Sequence, residues 1–168
     1  LLVYLKDLQY DSAGNPILVY LTSKGYESGP SNSPRLLRMA RWMGDRWRFT
    51  DIGETDQNYD HGSLYLEGGA WRFIGPTGVG PQKWSTGGEV QVWESKDEGQ
   101  SWRRTLALTR DSERNHTYVR RPLHVHPHFY AFWADGDAFG PSESRLYFAN
   151  PRGQAFVLPP SISGDEAE

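Results

Sequence analysis

A chain of 168 residues has the length of one ordinary domain. Its net charge of −3 and isoelectric point near 6.0 exclude a phosphate-binding surface as the main business, so nucleic acid is not expected as a partner. The absence of cysteine excludes disulfides and thiolate metal sites, and no run reaches the apolar length of a membrane helix, so no membrane partner is expected either.

The chain opens Leu1-Leu2-Val3 without Met and reads as a fragment or processed piece. Pro16 to Thr22 is a β-branched and aromatic run after the turn signal Ala13-Gly14-Asn15, and the polar stretch from Ser23 to Pro34 reads as a loop. Arg35 to Met43 fits either a strand or a helical face, and Gly44-Asp45 followed by Trp47 and Phe49 favours a hairpin. Further strands are expected over 62–67, 70–75, 89–95, 102–109, 128–134, 145–149 and 155–158. Gly68-Gly69, Asp97-Glu98-Gly99 and Pro151-Arg152-Gly153 are the hairpin links between them. Many short strands and almost no helix signal mean an all-β sandwich, barrel or propeller.

An internal echo selects among these. RMARWMGDRWRF, VQVWESKDEGQSWRR and LYFANPRGQAFVL each read as strand, tight turn, strand. Their anchors Trp42, Trp93 and Phe148 recur at intervals of roughly 50 residues, the period of a four-stranded blade. The expected fold is a partial β-propeller over 1–160, about three four-stranded antiparallel blades, with a polar acidic tail over 161–168. Propellers usually close with about four to eight blades, so the remainder of the ring is expected outside this chain.

Four constellations carry candidate chemistry. Ser95 to Trp102 matches S-x-D-x-G-x-x-W, the Asp box, in which Asp97 accepts turn N–H groups, Gly99 supplies a positive φ and Trp102 covers the hairpin end. That motif speaks for fold rather than chemistry. In NHTYVRRP, alternation along an extended segment puts His116, Tyr118 and Arg120 on one face. A guanidinium that neutralises a uronate carboxylate, a base for the acidified C5 proton and a phenol to protonate the leaving oxygen are what β-elimination needs. Pairing of Arg120 and Arg121 with local carboxylates is the alternative. His124, His126 and His128 alternate, but Pro127 breaks strand geometry and no carboxylate pattern completes a metal site, so neither metal nor cofactor is expected. Asn58-Tyr59-Asp60-His61 reads equally as a site, with Asp60 orienting an imidazole, or as a turn leading into a strand. Asp135-Gly136-Asp137 reads as a turn.

With these residues in view, the chain resembles the Asp-box (bacterial neuraminidase) repeat proteins of the polysaccharide-lyase type. The likeness rests on GNPILVYLTS, NYDHGSLYLEGGAWRFIGPT, GGEVQVWESKDEGQSW, NHTYVRRP, HPHFYAFWADG and SRLYF together. It implies a seven-bladed propeller related to ulvan lyases and rhamnose–glucuronate-cleaving enzymes. It also implies catalytic roles for His116, Tyr118 and Arg120, and substrate-binding roles for Arg121 and His126, with Tyr59 a further substrate-binding candidate. His61 and His128 depart from the family pattern. The expected function is β-elimination of a uronate-containing polysaccharide by a secreted or periplasmic protein. A sialidase-like hydrolase and a non-catalytic glycan-binding propeller are the alternatives.

Overall fold

The computed structural model describes residues 1–124, 126–161 and 164. Twelve strands follow in chain order: β1 (Leu2–Tyr10), β2 (Pro16–Ser23), β3 (Arg35–Trp42), β4 (Trp47–Thr55), β5 (Ser63–Glu67), β6 (Ala70–Gly78), β7 (Glu89–Ser95), β8 (Arg103–Ala107), β9 (Asn115–Arg120), β10 (Ala131–Gly136), β11 (Leu146–Ala149) and β12 (Ala155–Val157). They form three four-stranded antiparallel meanders, β1–β4, β5–β8 and β9–β12, each made of consecutive strands. A single 3₁₀ turn, Pro30–Asn32, is the only helical element among the described residues. The expected tail over 161–168 lies largely outside the described residues.

The sheets stack in chain order through two separate cores. Ile17, Val19, Leu37, Met39 and Ile52 of the first sheet bury against Leu64, Trp71 and Phe73 of the second. On the other face of that sheet, Tyr65, Ile74, Val90 and Val92 meet Val119, Tyr130, Ala131, Trp133 and Ala149 of the third sheet and its approach. The alternation of strand side chains explains this division, since Trp71 and Phe73 face one way and Ile74 the other. Among the described residues only the middle sheet is covered on both faces. The outer face of the first sheet keeps Leu5, Leu8 and Phe49 exposed, and that of the third keeps Phe132 and Phe156 exposed, with Phe148 stacked 5.1 Å from Phe156.

The three echoed segments are equivalent in the fold, each joining the third and fourth strands of its sheet. Arg35–Trp42 is a strand, because Arg35, Leu37 and Met39 alternate inward against the second sheet. In the Asp box, Asp97 Oδ1 accepts the Ser101 N–H at 2.9 Å and Ser95 Oγ accepts the Gly99 N–H at 2.7 Å. The Ser101 hydroxyl, which donates to Asp97 Oδ2 at 2.6 Å, the Ser101 N–H and the Ser95 hydroxyl hold the Asp97 carboxyl down to about 2, in that order of effect. The turn also docks on the first sheet, where Thr50 Oγ1 donates to the Gly99 carbonyl at 2.8 Å.

Three departures from the expected strands have local causes. Leu2–Tyr10 is a full strand that carries polar residues at Lys6 and Asp7, and a bulge at Lys6 interrupts its alternation. β10 begins at Ala131 rather than His128, because the Phe129 N–H closes a turn on the His126 carbonyl, beside Pro127, which has no N–H to give a ladder. Asp135 belongs to β10 and is buried, accepting from Arg145 N, Arg145 Nε and the Tyr147 hydroxyl.

Gly69 and Gly99 both hold positive φ, 91° and 82°. A Cβ at Gly69 meets nothing within 4 Å, whereas one at Gly99 falls 2.3 Å from Met39 Cε and 3.0 Å from the Trp71 ring. Gly99→Ala should therefore lower stability by about 1–3 kcal/mol more than Gly69→Ala, the excess measuring overpacking between sheets. Chemical denaturation of the two variants checks this; equal losses would mean that only backbone strain matters.

Candidate functional site

The first strands of the three sheets converge around the connector that leads from the first sheet into the second. Asp7 Oδ2 of β1 accepts the Leu64 N–H of β5 at 2.7 Å. Ser63 Oγ donates to the Val119 carbonyl of β9 at 3.1 Å and accepts the Arg121 N–H at 3.2 Å. Between these contacts runs Asp56 to Gly62, a polar segment with most of its side chains buried. Buried polar groups are as a rule hydrogen-bonded, and this segment meets much of that demand through its own side chains, with Asp56 Oδ1 and Asp60 Oδ2 the exceptions. Gln57 Oε1 accepts the N–H groups of Tyr59 and Asp60, and Asn58 Oδ1 accepts from Arg35 Nε at 2.7 Å.

Asp60 is 3 % exposed and organises the surface above it. Its Oδ1 accepts the His61 N–H at 2.5 Å and the Tyr118 N–H at 2.7 Å, so one oxygen joins the connector to β9. Its Oδ2 is buried without a partner. Burial raises the Asp60 carboxyl to about 6, against the pull of those N–H bonds and of the Lys6 and Arg120 charges. Lys6, the bulge residue of β1, is itself buried and lowered to about 8, chiefly by desolvation. Its ammonium donates to the Asn58 carbonyl.

A second bulge sets the side chains. On β9, Thr117 pairs with Ala134 and Arg120 with Phe132, so Tyr118 and Val119 together oppose Trp133, and Tyr118 takes φ 55°. A left-handed non-glycine residue costs about 1–2 kcal/mol, which the Asp60 bond to the Tyr118 N–H offsets. Tyr118 is turned outward, 50 % exposed. Its ring stacks on His61 at 5.8 Å, and the Arg120 guanidinium lies 5.5 Å from the same ring. Desolvation lowers the His61 pKa, with the Lys6 and Arg120 charges acting in the same direction, so its imidazole is neutral near pH 7. A neutral imidazole, a phenol and a guanidinium thus share one open surface.

The bulge also undoes the expected face of three. Tyr118 and Arg120 remain together, but His116 turns into the core, 2 % exposed, between Trp133 and Tyr147. Its Nδ1 accepts the Trp133 indole N–H at 3.0 Å, so a neutral ring carries its proton on Nε2, 2.9 Å from Ser112 Oγ. The one lone pair a base would need is occupied, and burial lowers the His116 pKa further. Arg121 is half-buried, donating to the Leu64 carbonyl and lying 3.6 Å from Asp7. It fastens β9 to the first two sheets, which matches the local-pairing alternative. His126 is exposed on the β9–β10 loop, where its Nδ1 accepts the His128 N–H and its ring lies 5.5 Å from Phe129. Tyr59 is exposed beside the site, donating its hydroxyl to the Tyr26 carbonyl at 2.5 Å. Among the described residues no group of three or more His, Asp or Glu side chains is arranged to hold a metal ion. None of their helices is long and apolar enough to cross a membrane.

A cavity of about 550 Å³ lies elsewhere, against the Asp-box hairpin. Its charged groups are already paired, Arg41 with Asp11 at 3.0 Å and with Glu98 at 2.9 Å, and it carries no free chemistry. Compared with protein-family models, curated proteins and solved structures, the chain matches none.

Asp60 makes stability depend on pH. Its folded pKa, about 6, is above the ordinary carboxylate value of 3.8, so its favourable contribution is complete below pH 4 and is lost as pH rises through 6. Asp60→Asn keeps an oxygen for both N–H groups and should remove a fall of about 3 kcal/mol between pH 4 and pH 7. Urea denaturation at several pH values reads the difference. Parallel pH profiles for variant and wild type would place the raised pKa on another group.

Proposed function

We propose that this chain is part of a β-propeller that cleaves a uronate-containing polysaccharide by β-elimination. The observation that carries this reading is the shared surface of His61, Tyr118 and Arg120, built by a strand bulge over a buried carboxylate. Support for the propeller comes from three four-stranded meanders stacked in chain order, adjacent first strands, and apolar outer faces left on the first and last sheets. Further blades would cover those faces.

In the proposed reaction Arg120 pairs with the C5 carboxylate and acidifies the C5 proton. Neutral His61 takes that proton, in the role the sequence had suggested for His116. The electron pair forms the C4=C5 double bond as the C4–O bond breaks, and the Tyr118 hydroxyl gives its proton to the departing oxygen. Tyr59 extends the surface along the polymer, and its exposed ring suits stacking on sugar C–H faces. A sialidase-like hydrolase would need an arginine triad for a carboxylate and a Tyr–Glu nucleophile pair, whereas beside Tyr118 lie the single guanidinium of Arg120 and, as carboxylate, the buried Asp60. A polymer substrate places the work outside the cytoplasm, as a secreted or periplasmic protein.

Incubation with glucuronate polymers, following the ultraviolet absorbance of the unsaturated product, tests the reading. His61→Ala and Tyr118→Phe should each lower kcat about 10²–10⁴-fold. Arg120→Lys, which keeps charge but loses the planar fork, should lose far more activity than Arg104→Lys on the exposed Asp-box hairpin. Saturated products would establish a hydrolase, and binding without release would establish a glycan-binding protein. Full activity in the His61 and Tyr118 variants would move the chemistry off this surface.

A further inference from the structure

A second polar site opens upstream on the same connector. A cleft of about 240 Å³ is lined by Thr55, Asp56, Thr77, Lys83 and Trp84, among others. Two of its polar atoms, Thr55 Oγ1 and Asp56 Oδ1, are buried without any hydrogen-bond partner, and both residues are more than nine-tenths buried. Native proteins rarely leave such groups unsatisfied, and an orphan in a cleft points to a ligand that completes it. The other oxygen, Asp56 Oδ2, accepts the Trp84 N–H at 2.9 Å.

That bond holds Trp84 at φ 65°, a conformation a bulky residue rarely adopts. Strain of this kind persists where the surroundings over-determine it, and it clusters at ligand sites. The indole is half-buried, with the Arg35 guanidinium 5.6 Å and the Lys83 ammonium 5.0 Å from its ring. Arg35 is 1 % exposed, and its Nε donates to Asn58 in the connector, so the cleft and the surface at His61 share one buried framework.

We propose that this cleft is a binding subsite for one neutral pyranose ring of the polysaccharide, an inference that rests on the carbohydrate reading above. Adjacent ring hydroxyls would complete Asp56 Oδ1 and Thr55 Oγ1, and a C–H face would lie on Trp84. The volume falls below the ~300–1,000 Å³ of sites that enclose larger ligands, and suits a single ring. A cation is opposed by Lys83 and by Arg35 against the indole, which offset the carboxylates of Glu54 and Asp56. A uronate would bring its own carboxylate against that of Asp56 in a desolvated wall. The neutral sugar next to the cleaved uronate meets neither obstacle.

The test is titration of the chain with methyl β-D-glucopyranoside and, separately, methyl β-D-glucopyranosiduronate, by ligand-detected NMR and the Trp84 indole resonance. The neutral glycoside should bind and shift the Trp84 signal, and should bind more tightly than the uronate. Thr55→Val removes one unpartnered hydroxyl at nearly constant volume. It should weaken binding about threefold to tenfold without lowering Tm. Trp84→Gly removes the indole while glycine accepts the positive φ, so the chain should stay folded and the neutral glycoside should no longer bind. Equal binding to wild type and Thr55→Val, or no shift at Trp84, would overturn the proposal and leave a water-filled cleft. Arg104→Lys, on the exposed Asp-box hairpin, should bind the glycoside as wild type does, and loss of binding there would also overturn the assignment. Glycoside binding at Trp84 in a wild-type chain that eliminates nothing would support the subsite and remove the lyase.

Discussion

A single buried carboxylate oxygen decides how the chain sets His61, Tyr118 and Arg120 on one surface. Asp60 Oδ1 takes the N–H of its own neighbour His61 and that of Tyr118, and so ties the connector between the first two sheets to the first strand of the third. An ordinary ladder would send Tyr118 along the pleat of β9. The second N–H bond instead stabilises a left-handed residue and a bulge, and Tyr118 turns outward beside His61 and Arg120. Desolvation opposes this use of a carboxylate and raises its pKa to about 6. The resulting protonation equilibrium lies directly beneath the surface it organises.

The stacked sheets make that arrangement possible by holding three first strands close together. Their spacing depends on a few close approaches. Gly53 of β4 lets the Trp93 ring of β7 come within 2.5 Å of where a Cβ would stand, and Gly99 does the same for Met39. The Asp-box turn therefore acts twice, satisfying its own backbone and clamping the second sheet onto the first. Arg121 and Asp7 repeat this at the other end of the strands, where an ion pair and two bonds from main-chain N–H groups to the Asp7 and Ser63 side chains join β1, β5 and the end of β9. A site assembled from three sheets then inherits the rigidity of their packing.

Most strands were legible because a buried sheet face imposes alternation or an apolar run, as in PILVYLT and EVQVWES, and because Gly-Gly and Asp-box turns mark their ends. β1 carries no clear strand signal in the sequence, since Lys6 and Asp7 interrupt its apolar pattern and find their partners only in the fold. The grouping of His116 with Tyr118 failed for a different reason. Alternation holds only in a regular strand, and nothing in NHTYVRRP announces a bulge at a tyrosine rather than a glycine. Asn58-Tyr59-Asp60-His61 reads in the sequence as either a turn or a site, and in the fold Asp60 is a local acceptor for His61 that also accepts the Tyr118 N–H from β9. Asp56 and Trp84 stand 28 positions apart, and only the folded chain brings them together.

The most direct test of this account follows the backbone amide protons of His61 and Tyr118 by ¹⁵N-resolved NMR between pH 4 and 8. Both protons are donated to one Asp60 oxygen, so both shifts should titrate together with a midpoint near 6, the amides moving as the carboxyl ionises. A shared midpoint at the ordinary carboxylate value near 4 would show that Asp60 carries no desolvation penalty. Two amides that titrate independently would contradict the claim that one buried oxygen joins the connector to β9.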